Sequence, residues 1–258
     1  MVPSSLELHQ IEEILRSSLR YKLANYKPEP NSMPFHTRLL GQDRLALFSF
    51  IHSLNTNFGT TIFEPIAVEL ARSRFKSATS QVVAGKRISE EAQAEIQRIM
   101  DELVTAEAEP NKADEIERIR RVCRLGRMVS VKPTKVDLML EDHSGVFYLF
   151  DMKTAKPNSG NFKEFKRTLL EWVAVRLADN PKSVVHTAIA IPYNPYAPKP
   201  YNRWTMRGML DLKQELKVAE EFWDFLGGRT IYKDLLDAFE RIGIELRPEI
   251  DAAFAQFK

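Results

Sequence analysis

Hydrophobic positions along the 258-residue chain change period, separating a helical first part from a strand-rich centre. In SLELHQIEEILRSSLRYKLANY, Leu8, Ile11, Ile14, Leu15 and Leu19 share one face, which predicts a helix with Ser5 as its cap. KPEPNSMPFHTRLLG, rich in proline and asparagine, predicts a loop, and DRLALFSFIHSLNTNFG a second helix ending near Gly59. TTIFEPIAVELARSRF predicts a third, capped by Thr60 or Thr61, with Pro65 in the first turn where a missing N–H is tolerated. A polar helix is expected from Ser89 to about Met100, continuing until AEPNK ends it, and a basic helix from about Ala113 to Leu125. The period then shortens. KVDLMLED, GVFYLFDMKT and SVVHTAIAIPY, rich in β-branched and aromatic residues, read as strands. Between the second and third, NFKEFKRTLLEWVAVRLADN aligns Phe162, Phe165, Leu169, Trp172, Val173 and Leu177 on a helix. NPYAPKPYNRWTMRG predicts a long loop, and two helices follow around Glu220 to Leu226 and Tyr232 to Ile242. This order predicts an α/β fold, a mixed central β-sheet flanked by helices, with a right-handed crossover through the helix around Trp172. No linker divides the chain, so one domain over residues 1–258 is expected, with 1–55 as a helical N-terminal region and 56–245 as the functional core.

The turn DHSG sets the register of the first two strands. A three-residue loop His143-Ser144-Gly145, with Gly145 left-handed, pairs Asp142 with Val146 and therefore Asp137 with Asp151. Lys153 joins that face because residues two apart on a strand point the same way. A two- or four-residue loop would shift the register and separate them. Two opposed carboxylates repel and resist desolvation, and a divalent cation resolves both problems. Mg²⁺ takes one or two carboxylates and completes its shell with water or phosphate oxygens, while a neighbouring lysine can hold an attacking water. Such parts suit hydrolysis of a phosphodiester. Asp-x-Lys alone, a pattern that arises often by chance, is more often the mark of an ion pair at a strand end. Glu64, near the start of the third helix, is a further candidate carboxylate, with Glu69 as its rival; an acidic residue near a helix N-terminus is also favourable in its own right.

Composition narrows the field. Hydrophobic residues at 44% and charged ones at 28% are ordinary globular values. The single cysteine, Cys123, excludes an internal disulfide framework, suits a reducing compartment and is expected to be buried and inert. The N-terminus lacks the basic segment and apolar run of a secretory signal, and no apolar stretch is long enough to span a membrane, so a cytoplasmic location is expected. The net charge of +2 says little, but its distribution is uneven. Eight lysines and arginines crowd residues 112–135, which fits either phosphate contacts or a solvated helix face. Lys156, Asn158, Lys163, Lys166 and Arg167 follow the candidate site as a polar, basic exit suited to phosphates, or as solvated lysines at a helix start, and the loop after the third strand interleaves Tyr193, Tyr196, Tyr201 and Trp204 with Lys199, Arg203 and Arg207. Gly-rich phosphate loops, nucleophile elbows and Cys/His metal spacings are absent from the sequence.

Beyond Asp137, Asp151 and Lys153, the blocks FGTTIFEPIA, FDMKTAKPN, IPYNPYAPKPYNRWT and EFWDFLGG extend the pattern. Together they resemble a type II restriction endonuclease of the PD-(D/E)xK nuclease superfamily, within the group that recognises interrupted GGNCC-type sites. The resemblance covers roughly residues 55 to 245. It implies a restriction-endonuclease-like fold and Mg²⁺-dependent cleavage of double-stranded DNA to 5′-phosphate and 3′-hydroxyl ends. A homodimer on a palindromic site, and a cognate DNA methyltransferase as functional partner, also follow from it. Asp137 and Asp151 match the metal carboxylates, Lys153 the catalytic lysine and Glu64 the helix glutamate that also joins the metal. Val136 stands where the motif usually has proline. Lys156, Asn158, Lys163, Arg203, Trp204 and Arg207 are the expected DNA contacts, with the Arg203–Arg207 region and the Arg118–Arg127 helix as candidates for reading bases. A repair or junction-resolving nuclease of the same superfamily, or a DNA-binding protein with a vestigial nuclease site, remain alternatives.

Overall fold

The strand-rich centre forms a five-stranded mixed sheet in the computed structural model, which describes residues 5–26, 33–132, 135–153, 156–157, 159–202 and 206–255. Its strands, in spatial order, are β1 (Ser77–Val83), β4 (Lys135–Glu141), β5 (Phe147–Met152), β6 (Val185–Ile191) and β7 (Leu216–Val218). β1, β4 and β5 are antiparallel neighbours, whereas β5, β6 and β7 run parallel. A separate ribbon pairs β2 (Arg87–Ser89) with β3 (Met128–Ser130). The helix α7 (Phe162–Asp179) makes the crossover between β5 and β6, and all six apolar residues predicted for its face are buried.

Helices cover both faces. On one, α5 (Glu90–Val104), α6 (Lys112–Val122) and α7 bury Ile96, Ile99, Ile119, Leu169 and Trp172 against Leu149 and Ile189. On the other, α1 (Ser5–Asn25), α4 (Glu64–Ala71), α8 (Glu220–Gly227) and α9 (Tyr232–Glu245) close over Leu138, Phe150 and Ala188. Phe222, Trp223 and Leu226 anchor α8 in this second core, and the Trp223 indole N–H donates to the Pro192 carbonyl at 2.8 Å. Ser89 caps α5, its hydroxyl accepting the Ala92 N–H at 3.0 Å. None of the described helices is long and apolar enough to cross a membrane.

Several elements depart from the expected pattern. The proline-rich stretch contains a short helix, α2 (Pro34–Leu40), because Pro34 opens a helix whose first N–H needs no partner. It buries no residue of its own, and Phe35 and Leu39 are 83% and 82% exposed. α3 (Gln42–Phe58) does not stop at Gly59 but continues through one π turn, Gly59–Phe63, into α4. Here Gly59 adopts right-handed helical angles, so its freedom to end a helix goes unused. β1, the β2–β3 ribbon, β7 and the last helix, α10 (Arg247–Ala255), have no counterpart in the hydrophobic pattern.

A cluster of charge lies inside the first core. The Lys166 ammonium donates to Glu115 at 2.5 Å and Glu215 at 2.6 Å, and Lys112 donates to Glu215 at 2.8 Å. All four side chains are buried. Such a group persists only because every charge has a partner.

Candidate active site

The hairpin has the register its turn demands. The Asp142 N–H donates to the Val146 carbonyl at 3.0 Å, and Gly145 takes φ +84°. Asp142 Oδ1 accepts the N–H groups of Ser144 and Val146 at 2.8 and 2.9 Å, which ties the loop to its own base. Pairs run from Glu141 opposite Phe147 to Leu138 opposite Phe150, and the next step sets Asp137 opposite Asp151. On its other side Asp151 neighbours Ile189 of β6, and the Lys153 N–H donates to the Ala190 carbonyl at 2.9 Å. β5 is therefore held on both edges where it carries the charged residues.

Three groups converge at this end of the sheet. Asp151 is 7% exposed, and Lys153 Nζ lies 2.5 Å from its Oδ1. Asp137 Oδ2 accepts the Met152 N–H at 2.8 Å. Burial pushes the Asp151 carboxyl up to about 6; Lys153 opposes the rise and Asp137, by charge and hydrogen bond, adds to it. The Lys153 ammonium also lies 5.0 Å from the Phe165 ring centre, so the start of α7 braces it from the side.

Glu64, not Glu69, reaches this group. Glu64 is 3% exposed, and its pKa is raised by burial first, with a smaller contribution from Asp137. Glu69 pairs with Arg72 at 2.5 Å on the helix surface. The link between Glu64 and the strand carboxylates is Gln81, which sequence reasoning missed. Its Nε2 donates to both Glu64 oxygens at 3.0 Å and to Asp137 Oδ1 at 3.1 Å.

A cleft of about 650 Å³ opens over these groups, lined by Glu64, Asp137, Met152, Lys153, Lys156 and the loop residues Pro192, Tyr193 and Pro195. Lys156 stands over the Tyr196 ring, 5.1 Å from its centre. Lys163 and Arg207 are exposed. Asn158, Arg203 and Trp204 lie outside the described residues. Lys166 is not part of a phosphate-facing rim, because it is committed to the buried charge cluster. The basic helix has internal partners as well. Arg118 pairs with Glu95 and Glu102, Arg120 reaches the Ser183 carbonyl, Arg124 caps the last carbonyls of α7, and Arg127 pairs with Glu90. These bonds favour a structural role for the charge run over base reading.

The donor set fits a hard, phosphate-seeking cation. Among the described residues no three His, Cys, Asp or Glu side chains group closely enough for a protein-only cage. Mg²⁺ needs none, since one or two carboxylates suffice when water and substrate oxygens fill the remaining positions. The buried Asp151 beside Asp137, which itself lines the cleft, is such a donor pair.

Comparison with known proteins gives a consistent picture. The family model described as "Type II restriction endonuclease, HinfI" matches residues 7–243. The type II restriction enzyme HgiCII of Herpetosiphon aurantiacus is 23% identical over 232 residues, 88% of this chain and 84% of that enzyme. HgiEI of the same organism is 23% identical over 227 residues, 86% of this chain and 81% of its own length. The type II restriction enzyme MjaII of Methanocaldococcus jannaschii is 27% identical over 210 residues, 77% of this chain but 55% of that longer enzyme.

Proposed function

The chain belongs to the HinfI family of type II restriction endonucleases and is a site-specific deoxyribonuclease, and we propose that it hydrolyses double-stranded DNA with Mg²⁺ through Asp137, Asp151 and Lys153. The observation that carries the residue assignment is the convergence of these three groups, from two paired strands, at one end of the sheet and beside an open cleft. Asp137 and Asp151 would hold the ion, and Glu64 joins them as the third carboxylate of the site through Gln81. When bound, Mg²⁺ supplies Lewis-acid stabilisation of charge on the phosphoryl oxygens and the leaving 3′-oxygen. The protein's own part is positional. Lys153, oriented by Asp151 and braced by Phe165, holds the attacking water in line with phosphorus and leaves 5′-phosphate ends. Lys156, Lys163 and Arg207, with Asn158, Arg203 and Trp204, are assigned to the DNA backbone and base edges.

The four sequence blocks flanking the site support an interrupted GGNCC-type recognition sequence. A palindromic site needs two cleavage centres, so the working unit is a homodimer with one strand cut by each subunit. The apolar side chains of Phe35, Leu39, Leu47, Phe48 and Ile51, exposed on α2 and α3, supply surface of the kind such an association buries. A methyltransferase protecting the same sequence completes the system in a cytoplasmic setting. Lys153→Ala tests the chemistry: cleavage should fall by at least about a thousandfold while DNA binding in Ca²⁺ persists. Cleavage at the wild-type rate would refute the assignment. Sequencing the fragment ends from a complete digest tests the recognition site.

A further inference from the structure

We infer that Gln81 is a positioning residue that holds Glu64 and Asp137 together as one acidic unit and so prepares the site for its cation, an inference that rests on the nuclease reading above. Gln81 lies on the edge strand β1, between the pairs Ser80–Leu138 and Val82–Val136, and so faces Asp137 across the ladder. Its backbone is left-handed, with φ +55°, in the middle of an otherwise continuous strand. A side chain other than glycine adopts that conformation at a cost, and such residues persist where the surroundings demand them, often at functional sites.

What the surroundings demand is visible in the amide. The two N–H groups of Gln81 Nε2 are directed to three oxygens, one shared between both Glu64 oxygens and the other on Asp137 Oδ1. The carboxylates come from different layers. α4, which carries Glu64, closes the core that contains Leu138 and Phe150. Asp151 alternates with Phe150, pairs with Ile189 and shares the face of Leu149, which belongs to the other core. Gln81 therefore joins a helix carboxylate to a strand carboxylate. Its chemistry suits the task. A lysine here would neutralise the acidic groups permanently, whereas a carboxamide donates N–H groups without charge and leaves the field that attracts a cation. Asp137 is then fixed from both neighbouring strands, by Gln81 at Oδ1 and by the Met152 N–H at Oδ2. Residues that orient metal ligands in this way are worth about ten- to a hundredfold in metal affinity.

The test uses the full-length protein and Mn²⁺ alone, without DNA, with binding followed by calorimetry. Gln81→Met keeps the side chain's length and removes its donors. Gln81→Gly also removes them, and it suits the left-handed backbone, which guards against a variant that fails to fold. Both should weaken Mn²⁺ binding by about tenfold or more, and both should lower kcat while KM for DNA stays at the wild-type value. In an E64Q background, Q81M should cost less Mn²⁺ affinity than it does in the wild type, because only its hold on Asp137 remains to be lost; fully additive losses would overturn the assignment. Unchanged or tighter Mn²⁺ binding by Q81G, with a wild-type melting curve, would also overturn it. A wild-type protein that neither binds Mn²⁺ nor cuts DNA with it would refute the nuclease reading itself, and this inference with it.

Discussion

Asp151→Asn should stabilise the metal-free protein at neutral pH. The Asp151 carboxyl is 7% exposed, and burial holds its pKa at about 6 against an ordinary 3.8, with Lys153 opposing the rise and Asp137 reinforcing it. Between those two values the folded protein keeps a proton that the unfolded chain has already released. Stability therefore falls as pH rises through this window, and the full penalty applies above the folded pKa. The gap corresponds to roughly 3 kcal/mol at neutral pH. Asparagine has the same shape and no ionisation penalty, so the gain approaches that figure. Part is returned because Lys153, 29% exposed, exchanges its 2.5 Å partner for water. Urea unfolding in EDTA measures the difference at about pH 7.5 and again near pH 4, where the advantage should shrink toward zero. A variant less stable than wild type at neutral pH, or an advantage that does not change with pH, would refute the reasoning. Under the proposed assignment, cleavage should be lost at every pH.

Two further perturbations probe the frame around the site. Glu215→Gln removes the carboxylate shared by Lys112 and Lys166, which are 2% and 0% exposed, and leaves buried positive charge without compensation. The expected loss is about 3–5 kcal/mol, seen as a fall in Tm on the order of 10 °C; a Tm within about 2 °C of wild type would contradict it. Cys123 is 3% exposed, and burial pushes its thiol pKa up despite Arg124 and Arg120 nearby. A thiol reagent should therefore label it at once in urea but in native buffer only as fast as the protein opens, and rapid native labelling would show the site to be accessible.

The strands of the candidate site were legible because their information is local. A Gly-ended turn, two alternating strands and the count of residues between Asp137 and Asp151 determine which side chains face each other, and the pairing agrees with that count. Gln81 was illegible for the opposite reason. It lies on SATSQVV, a half-exposed edge strand whose polar residues show no hydrophobic alternation, and its partners are 17 and 56 residues away. The partners of the arginine run were hidden in the same way. Glu95 and Glu102 stand two turns apart on α5 and form one receptor for Arg118, but only after α5 and α6 have packed. Lys166 looked like part of a phosphate-binding rim because the glutamates that bury it, Glu115 and Glu215, are about fifty residues distant on either side. The helix at Pro34–Leu40 was hidden by its proline, which reads as a breaker unless it stands at a helix start.

The three-residue turn at His143–Gly145 has a consequence for how this enzyme can vary. Side chains on a strand alternate between faces, so a shift of one residue is an inversion rather than a displacement. Any identity that tolerates the backbone can occupy His143 or Ser144, but the number of residues between Asp142 and Val146 behaves as an integer constant. One inserted residue that slips β5 against β4 would turn Asp151 and Lys153 to the face opposite Asp137, leaving a sheet of the same strands with no assembled site. Because β5 is also registered on β6 through Asp151 and Ile189, the less disruptive outcome is a bulge confined to the loop, which spares the active site. Lineages of this enzyme should accordingly tolerate substitution in the turn freely, and insertion there only where the extra residue is expelled from the ladder.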